Sequence, residues 1–511
     1  MIHQSIIIVG AGPAGLTAAL ELQAAGLNDI TVIEADTQVG GISRTVEHNG
    51  NRIDIGGHRF FSKSDWVMGW WRDLMPVAHP VDKELARELR YQGASAGIPE
   101  ATACESDKDV MLLRSRLSRI YFNKQFFDYP LKLNLETLLK LGPWKTFTFG
   151  LSYLAARIRP IRPESSLEDF LVNRFGRRLY RQFFKEYTEK VWGVPCGEIS
   201  AAWGAQRIKS LSILKAIAHA VRKLFGSAKV EQTSLIESFL YPKYGPGQMW
   251  EVAARRFVEC GGKLLMQSRV EQVDIRDGKV QAVSYRDSEG RSQALSCTHF
   301  LSTMPIKDLV EASSDAWPQA VREIAADLSY RDFITVGLLY PRSAIIRQLN
   351  DNWIYIQEPG VNVGRVQVFN NWSPYLVSDD SSLWLGLEFF CRDDDALWNM
   401  EDEALRSLAH KEMVQIGLVD AAAASDAVVL RVPKAYPGYF GEAYRRFDVL
   451  QAALDGIPNL FLIGRNGMHR YNNQDHSMLT AREAARQIVA GQVDKAAIWG
   501  INVDDEYHEE K

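Results

Sequence analysis

Ser5-Ile-Ile-Ile-Val9-Gly10-Ala-Gly12-Pro-Ala-Gly15 is the stretch on which the reading of this chain turns. Ser5 to Val9 is a short apolar run rich in β-branched residues, the pattern of a strand buried on both faces. It runs straight into three glycines. Leu16 to Ala25 then reads as a helix rich in Ala and Leu, and Asp29 to Ile33 as a second strand that ends at Glu34. Each glycine has a task in such a unit. Gly10 permits the tight turn, Gly12 lets a pyrophosphate come close to the backbone, and Gly15 lets helix and strand pack closely. The helix start offers unpaired N–H groups and a positive dipole end to the phosphates. Glu34, nineteen residues after Gly15, can accept hydrogen bonds from ribose hydroxyls. Strand, glycines, helix, second strand and acid follow in order within about thirty residues, which predicts a dinucleotide-binding βαβ unit.

Working outward, Gln38-Val-Gly-Gly-Ile-Ser-Arg-Thr45 sets two adjacent glycines and an arginine just past that acid, and Arg52-Ile-Asp-Ile-Gly-Gly-His58 follows. Near the far end, Asn459-Leu-Phe-Leu-Ile-Gly-Arg465 reads as a strand, and Asp475-His-Ser477 opens an Ala-rich helix running to about Val489. Between them lie Gln267-Ser-Arg-Val-Glu-Gln-Val273 and Cys297-Thr-His-Phe-Leu-Ser-Thr-Met-Pro305. Together these segments resemble the superfamily of FAD-dependent amine oxidases, protoporphyrinogen oxidases and UDP-galactopyranose mutases. The resemblance implies an α/β fold in which a Rossmann-like FAD-binding domain, discontinuous in sequence, carries inserted helical and mixed α/β substrate domains. The expected boundaries are 1–75, 230–310 and 445–500 for the FAD domain, 76–229 for a mainly helical insertion with amphipathic stretches such as 166–187, 311–444 for the mixed domain, with strands at 333–340, 365–369 and 384–390 and a helix near 402–415, and 501–511 for an acidic tail. It further implies non-covalent FAD held by Gly10, Gly12, Gly15, Glu34, Gly41, Arg44, Gly57, His58, Val270, Gly464, Arg465, Gln474, Asp475 and Ser477. No second glycine fingerprint for NAD(P)H is present, so a nicotinamide reductant is expected to dock in the substrate cleft.

Shorter motifs narrow the likeness. Tyr187-Thr-Glu-Lys-Val-Trp-Gly193, Asn370-Asn-Trp-Ser-Pro-Tyr375, Arg470-Tyr-Asn-Asn-Gln-Asp-His-Ser477, and Arg116 with Phe126-Phe-Asp-Tyr-Pro130 just after a turn at Asn123-Lys-Gln125, are similar to UDP-galactopyranose mutases. Such mutases interconvert pyranose and furanose forms of a nucleotide sugar, N5 of the reduced flavin acting as nucleophile on the anomeric carbon. By that resemblance Arg365 and His58 are the expected catalytic residues, Arg365 gripping the diphosphate and His58 adjusting hydrogen bonding near N5. Arg116, Tyr129, Lys185, Arg207, Arg365, Trp372, Tyr436 and Tyr471 are the expected substrate contacts. Three departures stand out. Lys185 replaces a second diphosphate arginine, Trp372 replaces a tyrosine, and the segment between Tyr471 and Gln474 is two residues short. The alternative is an FAD-dependent oxidoreductase of the protoporphyrinogen oxidase or amine oxidase type, removing hydride from a C–N or C–C bond.

Composition fits both. The chain has 511 residues, 24% of them charged, and a net charge of −4, which argues against nucleic acid as a partner. Five scattered cysteines (Cys104, Cys196, Cys260, Cys297, Cys391) show no metal-ligand spacing and suit a reducing, cytoplasmic setting. No run reaches the roughly 18 apolar residues of a membrane span. Phe147 to Ile158, which runs into Arg157, Arg159 and Arg162, is read as a core or interface helix rather than a membrane-surface anchor. A small-molecule substrate, in the leading reading a nucleotide sugar, is the expected partner, with a homo-oligomer left open.

Overall fold

The computed structural model describes residues 4–79, 102–129, 137, 141–201 and 238–501. Arg207 and residues 502–511, most of the expected acidic tail, lie outside them. Ile6–Val9, every side chain buried, is the middle strand of a five-stranded parallel sheet. Its neighbours are His299–Ser302 on one side and Ile30–Ile33 on the other, with Leu460–Leu462 and Lys263–Leu265 at the edges. Parallel strands need crossovers that cover the sheet. The helices Pro13–Ala24, Pro246–Glu259 and Gln474–Ala490 supply apolar residues to that core, which gathers Leu16, Leu22, Trp250, Phe257, Ala481 and Ile488 around Ile7 and Phe300. One sheet is thus built from four widely separated pieces of chain.

A second, seven-stranded sheet lies beyond it, in the order Asp426–Pro437, Tyr330–Pro341, Ser382–Cys391, Val363–Val368, Trp353–Ile356, Ser118–Phe122, Gln125–Asp128. The strands expected at 333–340, 365–369 and 384–390 form its centre, and the expected helix near 402–415 is Asp402–Ile416. Alternation along the strands divides the side chains. Ile354, Ile356, Val366, Leu387 and Phe389 meet Leu405, Ala409 and Met413 of that helix. Tyr355 and Phe390 face the other way, joining Phe170, Phe183 and Trp192. Glu388, between Leu387 and Phe389 of the helix side, and its register partner Arg365, beside an irregularity in its strand, share that second face.

Over 76–229 the described residues contain helices, Pro143–Ile158 and Leu167–Phe175 among them, and also the strands Met111–Ser115, Ser118–Phe122 and Gln125–Asp128. The last two form a hairpin whose turn residues Asn123 and Lys124 sit at φ 50° and 55°, the left-handed geometry of a tight two-residue loop. Ser118–Phe122 pairs in parallel with Trp353–Ile356, so the insertion extends the other segment's sheet. The amphipathic stretch over 166–187 is split: Gly176, at φ 78°, ends the helix Leu167–Phe175. Among the described residues no helix is long and apolar enough to cross a membrane.

Candidate active site

The first turn of the sheet gives the three glycines distinct surroundings. Gly10 sits at φ 100°, and a Cβ there would lie 1.9 Å from Thr303 Oγ1. At Gly15 a Cβ would fall 1.8 Å from Gly10 O, so only hydrogen lets the helix sit this close to the strand. At Gly12 the nearest atoms, in Gly40 and Gly41, are 3.8 Å away, which leaves room above the backbone. The helix Pro13–Ala24 starts without a side-chain cap, so its first N–H groups remain available to an anion. Glu34 accepts from Ala11 N–H at 2.6 Å and Asp36 N–H at 2.9 Å, and Arg44 pairs with Asp36 at 2.6 Å. Ser268 N–H donates to Glu34 O at 2.8 Å, bringing the strand of Val270 alongside.

The C-terminal piece closes on the same place. A Cβ on Gly464, at φ 80°, would be 3.0 Å from Ala14 Cβ, and Arg465 is fixed by donating to Asn472 O and Ala435 O. The helix Gln474–Ala490 also begins without a side-chain cap, with Gln474, Asp475 and Ser477 buried in its first turn. Asp475 accepts from Ser62 Oγ–H at 3.0 Å, while Gln474 Oε1 is buried with no donor. A glycine floor, two uncapped helix starts, an acid beside them and an orphaned acceptor fit a flavin dinucleotide. The residues present would hold one.

The segment Gly56-Gly57-His58 passes from this cradle to the second sheet. A Cβ on Gly57 would be 2.8 Å from the Trp353 ring, and one on Gly56 4.0 Å from Phe333. His58 Nε2 lies 2.9 Å from both Ile42 O and Ile55 O. Two carbonyls require a donor, which assigns the proton to Nε2 and leaves Nδ1 as an acceptor. Burial pushes the His58 pKa down to about 4, so the ring is neutral at neutral pH.

Arg365 stacks its guanidinium over Trp353, the ring that Gly57 meets, at 4.9 Å and over Phe390 at 4.7 Å. It donates from Nε to Tyr187 Oη at 2.9 Å and meets Glu388 at 3.3 Å. Burial works against its charge, but the surrounding phenols and Glu388 outweigh this and raise its pKa. Tyr129 stacks on Tyr355 at 4.1 Å, and Tyr436 on Tyr471 at 5.5 Å with Arg465 beside both. Tyr129, Tyr436 and Tyr471 thus belong to one aromatic cluster with Tyr187 and Tyr355, against which Arg365 and Arg465 pack, and His58 is hydrogen-bonded to Ile42 and Ile55 of the same cluster. Lys185 is half-buried at the end of the π-helical turn Tyr180–Lys185, and Arg116 has a buried Nη2 without a partner between two strands.

Trp372 is a correction. It is fully buried, donates its indole N–H to Asn352 O at 2.8 Å and packs on Phe239 and Tyr241. It supports Gly57 from behind and is not exposed to a substrate. Conversely, Glu388 had not been expected. It is the one acid in the apolar strand Ser382–Cys391, a visible signal, and its register partner is Arg365. Tyr187 lay inside a quoted motif without a role; Arg331, donating to Lys190 O, Val191 O and Phe390 O, pins its helix to the sheet. Asp54 was also missed. It is buried beneath the Gly56-Gly57 segment, accepting from Tyr241 Oη–H and from Thr45 Oγ–H, and burial raises its pKa to about 7.

Comparison with known proteins agrees with this geometry. A family described as flavin containing amine oxidoreductase matches residues 13–489. An L-amino acid oxidase of Crotalus durissus cumanensis is 30% identical over 131 residues, 26% of this chain and 22% of the relative. A lycopene-forming phytoene desaturase of Pantoea ananas is 21% identical over 292 residues, 55% of this chain and 52% of the relative. The chain thus spans about a fifth of the first relative and half of the second. A crystal structure of reduced UDP-galactopyranose mutase superposes with a TM-score of 0.77 at 20% identity, covering 100% of this chain and 98% of that one.

Proposed function

We propose, from the premise that this chain belongs to the flavin containing amine oxidoreductase family and is an FAD-dependent enzyme, that it rearranges a nucleotide-activated sugar without net oxidation. The observation that carries this reading is the placement of Arg365. A buried, permanently charged guanidinium is ringed by Tyr187, Tyr355 and Tyr436 and packs on Trp353, the same ring that Gly57 meets. An amine substrate would meet repulsion there, whereas a diphosphate would meet a planar cation and phenol donors. When bound and reduced, the flavin supplies a nucleophilic nitrogen. The chain's own residues do the rest. Arg365, with Tyr436 and Tyr471, would hold the leaving diphosphate. His58, neutral and with its proton fixed on Nε2, would present Nδ1 as an acceptor near the reacting face. Trp353, Tyr355 and Phe390 would exclude water.

A second reading, hydride removal by an oxidised flavin, is favoured by the sequence relatives. The curated relatives include oxidases, a monooxygenase and a desaturase. One experiment separates the two. Dithionite-reduced holoprotein is incubated with a panel of nucleotide sugars, and the products are resolved by chromatography. Conversion between ring forms, dependent on reduction and free of peroxide, is expected. If no sugar is converted, and amines instead bleach the oxidised flavin anaerobically and yield peroxide in air, the redox reading takes its place.

A further inference from the structure

The helix Pro143–Ile158 has apolar residues on two opposite sides. Tyr153 and Phe149 turn inward and join the cluster that holds Trp192, Tyr355 and Tyr436. The packing is close: a Cβ on Gly176 would lie 2.7 Å from Tyr153 N. On the other side Trp144, Phe147, Leu151, Leu154 and Ile158, spaced three and four residues apart, are 74, 58, 52, 55 and 77% exposed. Single exposed apolar residues are ordinary, but a continuous stripe of five marks a docking surface. Of the two expectations for this stretch, core or interface helix, the exposed side does not fit the first.

Its charge says what docks. Between Pro143 and Pro163 there is no Asp or Glu, while Lys145, Arg157, Arg159 and Arg162 are present, in a chain whose net charge is −4. Beside the stripe a shallow depression is lined by Thr148, Leu151, Ser152, Arg177, Arg178 and Arg181. Arg178 N–H donates to Ser152 Oγ at 3.0 Å, which ties the arginine cluster to the helix. An apolar stripe with a basic rim and no acid is complementary to an anionic bilayer surface. A second copy docking face to face would set the same cations against one another.

We propose that helix Pro143–Ile158 seats this protein on anionic membranes. Trp144, Phe147, Leu151, Leu154 and Ile158 enter the boundary between headgroups and acyl chains, and Arg157, Arg177, Arg178 and Arg181 meet lipid phosphates. The helix lies in the surface and does not span, since its inner face is built into the protein.

The test uses the full-length holoprotein and vesicles of equal parts phosphatidylcholine and phosphatidylglycerol, with phosphatidylcholine alone as control. Sedimentation with the anionic vesicles only is expected, weakening as salt is raised. Each cation near the surface contributes roughly fivefold. Replacing Arg177, Arg178 and Arg181 together by Gln therefore lowers partitioning by about a hundredfold. Phe147→Ser with Leu151→Ser abolishes binding while leaving the melting temperature and flavin spectrum unchanged, because neither side chain is in the core. Trp144→Phe keeps most of the binding and removes the blue shift in tryptophan emission on vesicle addition. The proposal is overturned if the holoprotein stays in solution, or if the Ser double variant binds as well as the parent. A concentration-dependent dimer lost in that variant, with no vesicle binding, would also overturn it and make the face a self-association surface.

Discussion

Gly12 and Gly15 differ in what surrounds them, and the difference separates folding from cofactor binding. A methyl group at Gly15 would strike Gly10 O at 1.8 Å, a backbone atom that cannot move aside. Gly15→Ala is expected to cost about 1–3 kcal/mol or more and to lower both melting temperature and flavin content. At Gly12 the nearest atoms are 3.8 Å away, so flavin-free Gly12→Ala should melt like the flavin-free parent, yet the variant should purify with little FAD. Equal loss of stability in the two variants would contradict this division. Asp54 offers a second test. Its pKa rises, by burial, from an unfolded value near 4 to about 7, so between those pH values the folded chain holds more protons than the unfolded one. Its contribution is fully present below about pH 4 and lost as pH rises through about 7, on the order of 4 kcal/mol. His58 and His469, both depressed by burial to about 4, act in the opposite direction, so the comparison must be between variants. Asp54→Asn should remove the falling component in denaturant titrations across that range; an unchanged slope would show that Asp54 stays ionised. The glycines were legible because each answers a local steric demand. Asp54 was not, because Tyr241, whose hydroxyl donates to it, comes from a distant part of the chain and nothing local marks it as buried.

Strand register explains why Arg365 is held so firmly and how to probe it. Val363–Val368 and Ser382–Cys391 pair antiparallel with Arg365 opposite Glu388, and Gln367 donates to the same carboxylate at 2.9 Å. Arg365→Lys keeps the charge but loses the planar fork, so nucleotide-diphosphate affinity should fall about tenfold or more, measured by calorimetry with an intact flavin spectrum. Glu388→Gln should do the reverse. Removing a buried carboxylate that competes for the guanidinium should tighten anion binding, while breaking the pair destabilises the fold by roughly 3–5 kcal/mol. If Glu388→Gln weakens binding in step with Arg365→Lys, Arg365 is a structural partner of the sheet and not an anion site. At this scale the central strands were readable from their apolar runs. The hairpin Ser118–Asp128 was not assigned to the sheet, because a parallel edge pairing to Trp353–Ile356 leaves no trace in local pattern. Trp372 was misassigned for a related reason: a motif fixes which residue stands at a position, and packing decides which way it faces.

For the whole molecule, the decisive feature is that one cofactor site is distributed over pieces hundreds of residues apart. Gly10 to Gly15, Glu34 to His58 and Gly464 to Ser477 converge on one cradle, and the sheet beneath it joins Ile6–Val9 to His299–Ser302 and then to Leu460–Leu462. Long-range parallel pairing of this kind forms late and gains little until the final piece arrives. A ligand that touches every piece should therefore couple them, adding about 2.7 kcal/mol to stability at a concentration a hundred times its Kd. Hydrogen exchange on protein stripped of flavin and then reloaded tests this directly. FAD should slow exchange together in residues 10–16, 40–58 and 464–480, including amides such as Gly464 N–H, which already donates to Thr480 Oγ1 at 3.0 Å. The outer residues of helix Pro143–Ile158 should be unaffected, because they face away from the cradle. Protection confined to residues 10–16 would mean that the C-terminal helix start does not reach the cofactor. The assignment of Gly464, Arg465, Gln474, Asp475 and Ser477 would then fall, while that of the N-terminal glycines would stand.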